Sequence, residues 1–360
     1  MYMSRLKLIM RILGAVTAVC LAVVSAVGLG ADAIAGRAAV LSVAAVAPDG
    51  IYGLLSLFVS DTEAAGTANK PQTEYEFTVQ TGASASANQS ITEAVEQQVL
   101  GNIVKKTLSP YNANTCFNNV YINNQSGASI DIAADLAEPL EFKVTKSAEP
   151  QILIYHTHAT EGFMSDESEY YTNRDEPRST DTEVNVVKVG EVIAQQLRNA
   201  GYTVIHDETL HDYPGYTGSY SRSAETVKSV LGQYPSVKIA IDVHRDSISS
   251  GDRDKVAPVT LVDGKEAAQV MLVMGSETGS VESYPEWRQN LRLATKLQYI
   301  FESRYPQFAR ALLLKSAKYN QDLTTGSILI EVGSDANTLE QALYSATLVG
   351  EVLTQLLESQ

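Results

Sequence analysis

From residue 149 to the C-terminus, short apolar runs alternate with segments of helical periodicity. Runs such as "QILIYH", "VKIAIDVHRD" and "SILIEVGS" are almost continuously apolar until they end in polar residues. Strands that are apolar on both faces are typical of parallel sheets with helices packed on each side. The pattern therefore predicts an α/β domain over residues 149–360, with a mostly parallel twisted sheet and helices on both faces.

The same pattern predicts the individual elements of this domain. "EVNVVKVGEVIAQQLRNAG" has apolar residues at helical spacing and is predicted to be a helix that ends at Gly201. "APVTLVDG" and "AQVMLVMG" are predicted to pair as two β-strands. The segments "EWRQNLRLATKLQYIFESRY" and "NTLEQALYSATLVGEVLTQLLES" are predicted to be long helices.

The N-terminal segment, residues 1–35, contains an uncharged run of 20 residues at positions 12–31. At 1.5 Å per residue, such a helix could cross the ~30 Å hydrocarbon core of a bilayer. Basic residues precede the run, which predicts a single-pass anchor with the N-terminus inside and the remaining chain outside the cytoplasmic membrane. A cleaved signal peptide is the alternative interpretation of this segment.

Three further segments precede the α/β domain. Residues 36–60 are apolar but contain Pro48 and Gly50, so juxtamembrane helices are predicted there rather than a second span. Residues 61–90 are rich in small polar residues and are predicted to be a flexible linker. Residues 91–148 are predicted to be a small α+β unit, with a helix in "ITEAVEQQVLGNIVKKTL" followed by short strands.

Charge and cysteine content exclude several classes of function. The chain has 42 acidic and 27 basic residues, and its formal net charge of -15 would repel the phosphates of nucleic acid. Its two cysteines, Cys20 and Cys116, cannot build a disulfide framework or a four-cysteine zinc site. Nucleic-acid binding and redox chemistry are therefore disfavoured.

Three of the five histidines, His156, His158 and His244, fall at or just past the ends of predicted strands. Ligands of parallel α/β folds bind beyond the carboxyl ends of the strands. Catalytic zinc commonly has two histidines and one carboxylate as ligands, and it lowers the pKa of a bound water toward ~7. The histidines therefore predict a hydrolytic zinc site at this edge of the sheet.

Several acidic residues could complete this site. Glu331 is flanked by apolar residues in "ILIEVG", where burying a carboxylate without a partner is unfavourable, so it is predicted to transfer protons. Glu161, Asp181 and Glu183 are the other candidate carboxylates.

Six motifs, in this order along the chain, carry a more specific signal: "ILIYHTHATEGF", "TEVNVVKVG", "DVHRD", "WRQNL", "YNQDL" and "ILIEVGSDANTLEQA". Together they resemble the sporulation stage II protein P family. The resemblance covers about residues 149–358. It implies a membrane-anchored peptidoglycan hydrolase of endospore-forming bacteria, related to the zinc-dependent N-acetylmuramoyl-L-alanine amidases.

The resemblance implies hydrolysis of the amide between N-acetylmuramic acid and L-alanine with one Zn²⁺, and endopeptidase action on the stem peptide as an additional activity. The implied partners are peptidoglycan and the lytic transglycosylase and membrane protein of the engulfment machinery at the sporulation septum. Two alternatives stay open: a catalytically inactive wall-binding scaffold of the engulfment complex, and a deacetylase that acts on wall sugars.

The resemblance also implies roles for individual residues. His158 matches the first histidine ligand of the amidases, and His156 would then make a supporting hydrogen bond or contact substrate. In the amidases the carboxylate ligand opens the first helix four residues before an asparagine. That asparagine matches Asn185, which would contact substrate or support the site, and the carboxylate position matches Asp181. The amidases have glutamate at that position, so Glu161 remains an alternative ligand.

The resemblance also matches residues on later predicted strands to functional residues of the amidases. His244 matches the second histidine ligand, and Glu331 matches the catalytic glutamate. Arg245, together with Asn290 or Asn320, is expected to contact the glycan or the peptide.

Overall fold

The computed structural model describes residues 97–251 and 253–360. The predicted anchor, the apolar segment 36–60 and the linker 61–90 lie outside these residues. Within the described part of the chain, no helix is both long enough and apolar enough to cross a membrane.

The described residues form thirteen strands and five α-helices. The strands are β1 (Val99–Lys106), β2 (Thr115–Phe117), β3 (Val120–Asn124), β4 (Ile152–Tyr155), β5 (Tyr170–Thr172), β6 (Val204–His206), β7 (Ile239–Asp246), β8 (Ser249–Ser250), β9 (Asp254–Val262), β10 (Lys265–Ala268), β11 (Val270–Gly275), β12 (Leu312–Lys315) and β13 (Ser327–Ser334). The helices are α1 (Ile132–Ala137), α2 (Val186–Asn199), α3 (Ser219–Gln233), α4 (Trp287–Arg304) and α5 (Leu339–Glu358).

The main sheet has eight strands in the order β2-β3-β12-β11-β13-β7-β4-β6. Five of its seven neighbouring pairs are parallel, and only β2/β3 and β11/β13 are antiparallel. A smaller sheet has the order β10-β9-β1-β5, with β8 also paired to β9. The prediction of a mixed α/β fold with a mostly parallel sheet is therefore confirmed.

Alternate residues of the central strands enter two different cores. Ile154 and Ile241 belong to the larger apolar cluster, which also contains buried residues of α2, α4 and α5. Tyr155 and Ala240 point to the other face and pack with Val227 of α3. Because side chains alternate along a strand, this arrangement confirms helices on both faces of the sheet.

Helix α2 ends before Gly201, as its sequence predicts, and it begins after Asn185. The side chain of Asn185 accepts a hydrogen bond from Val187 N at 2.9 Å, which caps the first turn. At the other end, Gly201 has a φ of 93° and follows the last turn, a left-handed conformation that glycine adopts without steric cost.

The predicted helix at residues 91–108 is wrong over Val99–Lys106, which form strand β1. This strand pairs with β9 in parallel and with β5 in an antiparallel ladder. A Cβ on Gly101 would lie 1.7 Å from the Arg253 carbonyl oxygen, so only glycine allows this close backbone approach. The hydrogen bonds come from residues distant in sequence, and local periodicity does not reveal them.

The predicted pairing of "APVTLVDG" with "AQVMLVMG" is also wrong. Strand β9 pairs instead with the short β10 across a turn at Asp263 and Gly264, both of which have positive φ. Strand β11, which follows, joins the main sheet between β12 and β13. The two-residue turn places the adjacent segment in register with β9, and the more apolar segment pairs in the main sheet.

Candidate functional site

The candidate site lies where β4, β7 and β13 end. These three strands are neighbours in the main sheet and run parallel, so their carboxyl ends meet at one edge. His156 and His158 follow β4, His244 lies near the end of β7, and Glu331 lies near the end of β13. The topology therefore brings the predicted strand-end residues to one side of the molecule.

Glu161, His244 and Glu331 converge at this edge. His244 and Glu331 are partners in the β7/β13 ladder, so their side chains leave the sheet on the same face. Glu161, in the loop after β4, is 6% exposed and places its Oε2 3.5 Å from His244 Nδ1. Two zinc ligands at ~2.0–2.1 Å from a tetrahedral ion would be separated by about this distance.

Asp242 completes the surroundings of His244. It lies two residues earlier on the same strand, is fully buried, and places Oδ1 2.9 Å from His244 Nε2. The pKa of Asp242 is lowered and that of His244 is raised by this contact, so the two side chains form an ion pair. Thr157 holds the carboxylate in place by donating its backbone N–H at 2.8 Å and its hydroxyl at 2.6 Å.

These charges stabilise one another in the protein without a metal. Burial alone would lower the pKa of His244, but the carboxylates of Asp242 and Glu161 raise it well above its usual range. Burial would raise the pKa of Glu161, whereas His244 and Arg245 hold it well below the usual range. A positive charge between two buried carboxylates is therefore favoured at this position.

Removing the charge of Asp242 should weaken metal binding at His244. We expect Asp242→Asn to lower zinc affinity by roughly 10–100-fold, because a carboxylate behind a ligating histidine orients it and raises its basicity. Competition with a chelator would measure the affinity. Asp263→Asn removes an exposed turn carboxylate and should leave the affinity unchanged. Equal affinities in the two variants would contradict the role of Asp242.

Glu331 is in a different electrostatic situation. Burial raises its pKa to about 8, with Asp246 adding to the shift and His244 opposing it. Its Oε2 is buried without a hydrogen-bond partner. In the metal-free protein this carboxyl group therefore carries a proton at neutral pH.

The stability of the metal-free protein should reflect this proton. The pKa of Glu331 is about 8 when folded against 4.5 as the reference value, so the unfolded chain loses the proton first. The contribution of this group to stability is thus complete below pH 4.5 and is lost as the pH rises toward 8.

Glu331→Gln mimics the protonated group and should become more stable than the parent as the pH rises, by on the order of 1–2 kcal/mol after solvent screening. Urea unfolding with a chelator, at acidic and at alkaline pH, would measure the difference. A difference independent of pH would contradict the raised pKa.

His158 lies against the same group of side chains. Its ring is 5.2 Å from that of His244, edge to face, and stacks on Tyr216 at 4.5 Å. Its Nε2 lies 3.1 Å from the Tyr216 hydroxyl, and its Nδ1 lies 3.3 Å from the Ser219 hydroxyl. Burial lowers the pKa of His158 to about 4, so the ring is neutral and can offer a lone pair.

His156 points away from this group. It is fully buried, with Nδ1 3.0 Å from the Val243 carbonyl oxygen and Nε2 2.9 Å from His206 Nε2. Burial lowers its pKa to about 3. Of the two predicted roles, its position matches a supporting hydrogen bond to the strand that carries His244.

Arg245 and Asn185 hold the loop that contains Glu161. The backbone N–H of Arg245 donates to Glu161 Oε2 at 3.0 Å, and its buried guanidinium donates to Gly162 O and Pro177 O. Asn185 is fully buried and donates to Ser179 O at 2.9 Å. The hydrogen bonds of both side chains lie within the protein and brace the loop.

Asp181 lies in an exposed turn before α2. Its Oδ1 accepts a hydrogen bond from Glu183 N at 3.0 Å, and Glu183 forms an ion pair with Lys188. These contacts are local to the turn, whereas Glu161 contacts His244 directly.

Asn290 and Asn320 are bound to the protein as well. Asn290 is fully buried and donates to Gln321 O. Asn320 donates to Tyr220 O and to the Ser223 hydroxyl, close to helix α3.

The chemistry of the donor set fits zinc, although the three donors are not equally placed. Glu161 Oε2 and His244 Nδ1 are at ligand separation, while His158 would have to turn a nitrogen from Tyr216 or Ser219 to join them. A different group of described residues has three potential ligand atoms within 4.8 Å of one another. It consists of Glu191, His206 and Glu208.

Asp242, Tyr216 and Arg178 were not predicted as site residues. Asp242 could have been found, because a spacing of two on a strand places it on the face of His244. Arg178 lies 3.7 Å from Glu161 Oε1 and stacks on Tyr216, and it pairs with Asp212 at 2.6 Å. Arg178, Tyr216 and Asp212 lie in loops, and no sequence signal links them to the strand ends.

Comparison with known proteins identifies the family. A profile described as "Stage II sporulation protein P (SpoIIP)" matches residues 59–354. The curated "Stage II sporulation protein P" of Bacillus subtilis (strain 168) is 28% identical over 225 residues, which are 59% of this chain and 53% of that protein. The match therefore spans about half the length of this relative.

Two solved amidase structures match this chain with low scores. One is the CwlD amidase from Clostridioides difficile in complex with the GerS lipoprotein, with a TM-score of 0.38 and 11% identity over 58% of this chain and 98% of that one. The other is the N-acetylmuramoyl-L-alanine amidase AmiC2 of Nostoc punctiforme, with a TM-score of 0.34 and 12% identity over 59% of this chain and 97% of that one. Because these scores are low, the assignment rests on the sequence match over residues 59–354: the chain belongs to the stage II sporulation protein P family.

Proposed function

We propose that this protein is a zinc-dependent peptidoglycan hydrolase that cleaves the amide between N-acetylmuramic acid and L-alanine during septum remodelling and engulfment in sporulation. The observation that carries the proposal is the convergence of Glu161, His244 and Glu331. Two groups suited to bind a metal lie 3.5 Å apart, and a carboxyl group with a raised pKa lies on the neighbouring strand.

His158, Glu161 and His244 would hold the ion in this proposal. Glu161 is preferred to Asp181 because it is buried beside His244 and its charge is already compensated there. When bound, zinc supplies Lewis-acid polarisation of the amide carbonyl and a lower pKa for the attacking water.

Glu331 would transfer the proton between the attacking water and the leaving group. Its Oε2 has no hydrogen-bond partner among the described residues. The positive charge of a nearby ion would lower the raised pKa of Glu331, so that its carboxylate could take a proton from water. The same proton would then pass to the nitrogen of L-alanine as the carbon–nitrogen bond breaks, which leaves a free amino group on the peptide and a carboxylate on the sugar.

Tyr216 would provide a contact surface for the sugar. Its side chain is 45% exposed, and its ring is held between His158 and the guanidinium of Arg178. Because these two side chains cover the faces of the ring, its exposed edge would make the contact with the sugar. Endopeptidase action on the stem peptide would use the same groups on a second amide.

Membrane attachment outside the cytoplasm, and association with a lytic transglycosylase and a membrane protein of the engulfment machinery, belong to the same proposal. They rest on the family and on the sequence of residues 1–35.

The proposal is tested by incubating the purified full-length chain with purified sacculi and identifying the new chemical ends. An amidase exposes the amino group of L-alanine. Endopeptidase cleavage exposes amino groups further along the stem peptide, and a deacetylase releases acetate. A chelator should stop the release of peptides, and added zinc should restore it.

The His244→Ala variant should lose the zinc ion bound at this site together with peptide release. Binding of sacculi without release by the zinc-loaded parent chain would favour the inactive scaffold instead. Undiminished release after complete removal of metal would exclude a metal mechanism.

A further inference from the structure

A second histidine site lies on the α2 face of the sheet, opposite to the face that carries His244. His156 and His206 meet there, with their Nε2 atoms 2.9 Å apart. His206 ends strand β6, and its side chain is only 1% exposed. His206 Nδ1 lies 3.1 Å from Glu191 Oε2 and 3.7 Å from Glu208 Oε1.

The contacts of this histidine pair require more hydrogens than two neutral rings carry. One contact joins His156 Nδ1 to the Val243 carbonyl oxygen, the second joins the two Nε2 atoms, and the third joins His206 Nδ1 to Glu191. A carbonyl and a carboxylate only accept, so each contact needs one hydrogen from a ring. Two neutral imidazoles supply two hydrogens for three contacts.

With two neutral rings, one of the three contacts therefore lacks a hydrogen, and a cation there would satisfy it. When His156 donates to Val243 and accepts from His206, the Nδ1 of His206 is left as a lone pair that faces two carboxylates. A proton or a metal ion would resolve this conflict. Burial lowers the pKa of His206, which disfavours the protonated ring.

Helix α2 leaves room for this pair by having glycine at position 190. A Cβ there would lie 2.5 Å from Cε1 of His156 and 2.9 Å from Nε2 of His206. Glycine within a helix costs about 0.5–1 kcal/mol relative to alanine. The two rings are thus packed tightly in the positions that produce the hydrogen deficit.

We propose that Glu191, His206 and Glu208 bind a second zinc ion, separate from the site at His244. Their ligand atoms all lie within 4.8 Å of one another. The distances of 3.1 and 3.7 Å from His206 Nδ1 bracket the ~3.3 Å expected between two ligands of tetrahedral zinc. One imidazole and two carboxylates are suitable zinc ligands and leave a fourth position for water.

The surrounding charges also favour a cation. Arg198 pairs with Glu191 at 3.1 Å and offsets one of the two carboxylates. Lys188 is nearby but forms its ion pair with Glu183 at 2.6 Å. The pair of carboxylates and Arg198 together leave a net charge of about -1 beside the lone pair of His206.

The experiment measures bound zinc per full-length chain, after removal of all metal and reloading, in two backgrounds. In the His244→Ala background, which lacks the first site, the chain should still bind one zinc. Adding Glu191→Gln and Glu208→Gln should remove that ion. The matched control is Glu225→Gln with Glu340→Gln, which makes the same change of charge at exposed positions of α3 and α5.

In the parent background, Glu191→Gln with Glu208→Gln should lower bound zinc by one per chain and leave one behind. Equal zinc content in this variant and the matched control would overturn the second site. The second site would also be overturned if nitrogen NMR found His206 protonated on both nitrogens in the zinc-loaded His244→Ala chain. Failure of the first site would appear differently, as one zinc per chain in the parent as well as in His244→Ala.

Discussion

Replacing Glu331 by glutamine is expected to lower the rate of peptide release from sacculi by roughly 100-fold to 10,000-fold, the range for loss of a general acid–base group. Glutamine has nearly the same size and can occupy the place of the protonated carboxyl group, but it cannot take a proton from water. The loss should therefore appear in the rate and not in bound zinc.

The measurement is the initial rate of appearance of L-alanine amino groups at saturating sacculi, together with zinc content. Glu302→Gln is a control at another largely buried glutamate, on helix α4, and should retain the parental rate. A fully active Glu331→Gln chain would show that proton transfer uses another group. A chain that is inactive because it has lost zinc would assign Glu331 to metal binding instead.

Replacing Glu161 by alanine should abolish peptide release and the binding of the zinc ion at the His244 site. Its carboxylate lies 3.5 Å from His244 Nδ1 and compensates the charge there. Loss of a direct ligand should exceed the ~10–100-fold that loss of a supporting residue costs in metal affinity. Asp181→Ala, which removes a carboxylate from an exposed turn, should leave zinc content and rate within about twofold of the parent.

These two variants separate the alternatives for the third ligand. Glu183→Ala serves as the control, because Glu183 lies in the same exposed turn as Asp181 and binds Lys188. If Asp181→Ala lost zinc while Glu161→Ala retained it, the assignment of ligands would have to be reversed, with the turn moving toward His244. The folded state of each variant would be checked by its thermal midpoint.

The α/β architecture was accessible from the sequence because buried parallel strands have an unmistakable composition. "VKIAIDVHRD" and "SILIEVGS" became β7 and β13, and "NTLEQALYSATLVGEVLTQLLES" became α5 with the capping box of Thr338 and Gln341. A strand that is buried on both faces has few polar residues. The polar residues His244 and Glu331 therefore marked the strand ends in the sequence.

The pairing of strands that are distant in sequence could not be predicted from composition. Strand β1 has apolar residues that also fit a helix, and only its ladder with β9 decides its conformation. The Asp263–Gly264 turn similarly directs β9 to β10 rather than to β11.

The candidate site shows the same division. His158, His244 and Glu331 could be placed at strand ends from the sequence, because they interrupt or follow apolar runs whose burial is dictated by composition. Which side chains lie next to them depends on the packing of the folded chain. Buried Asp242 lies beside His244, Glu161 accepts a hydrogen bond from the backbone N–H of Arg245, and Asp181 lies in an exposed turn. The physical reason is that burial is encoded in each segment's own residues, whereas a charged group's partner depends on how loops far apart in the chain pack together.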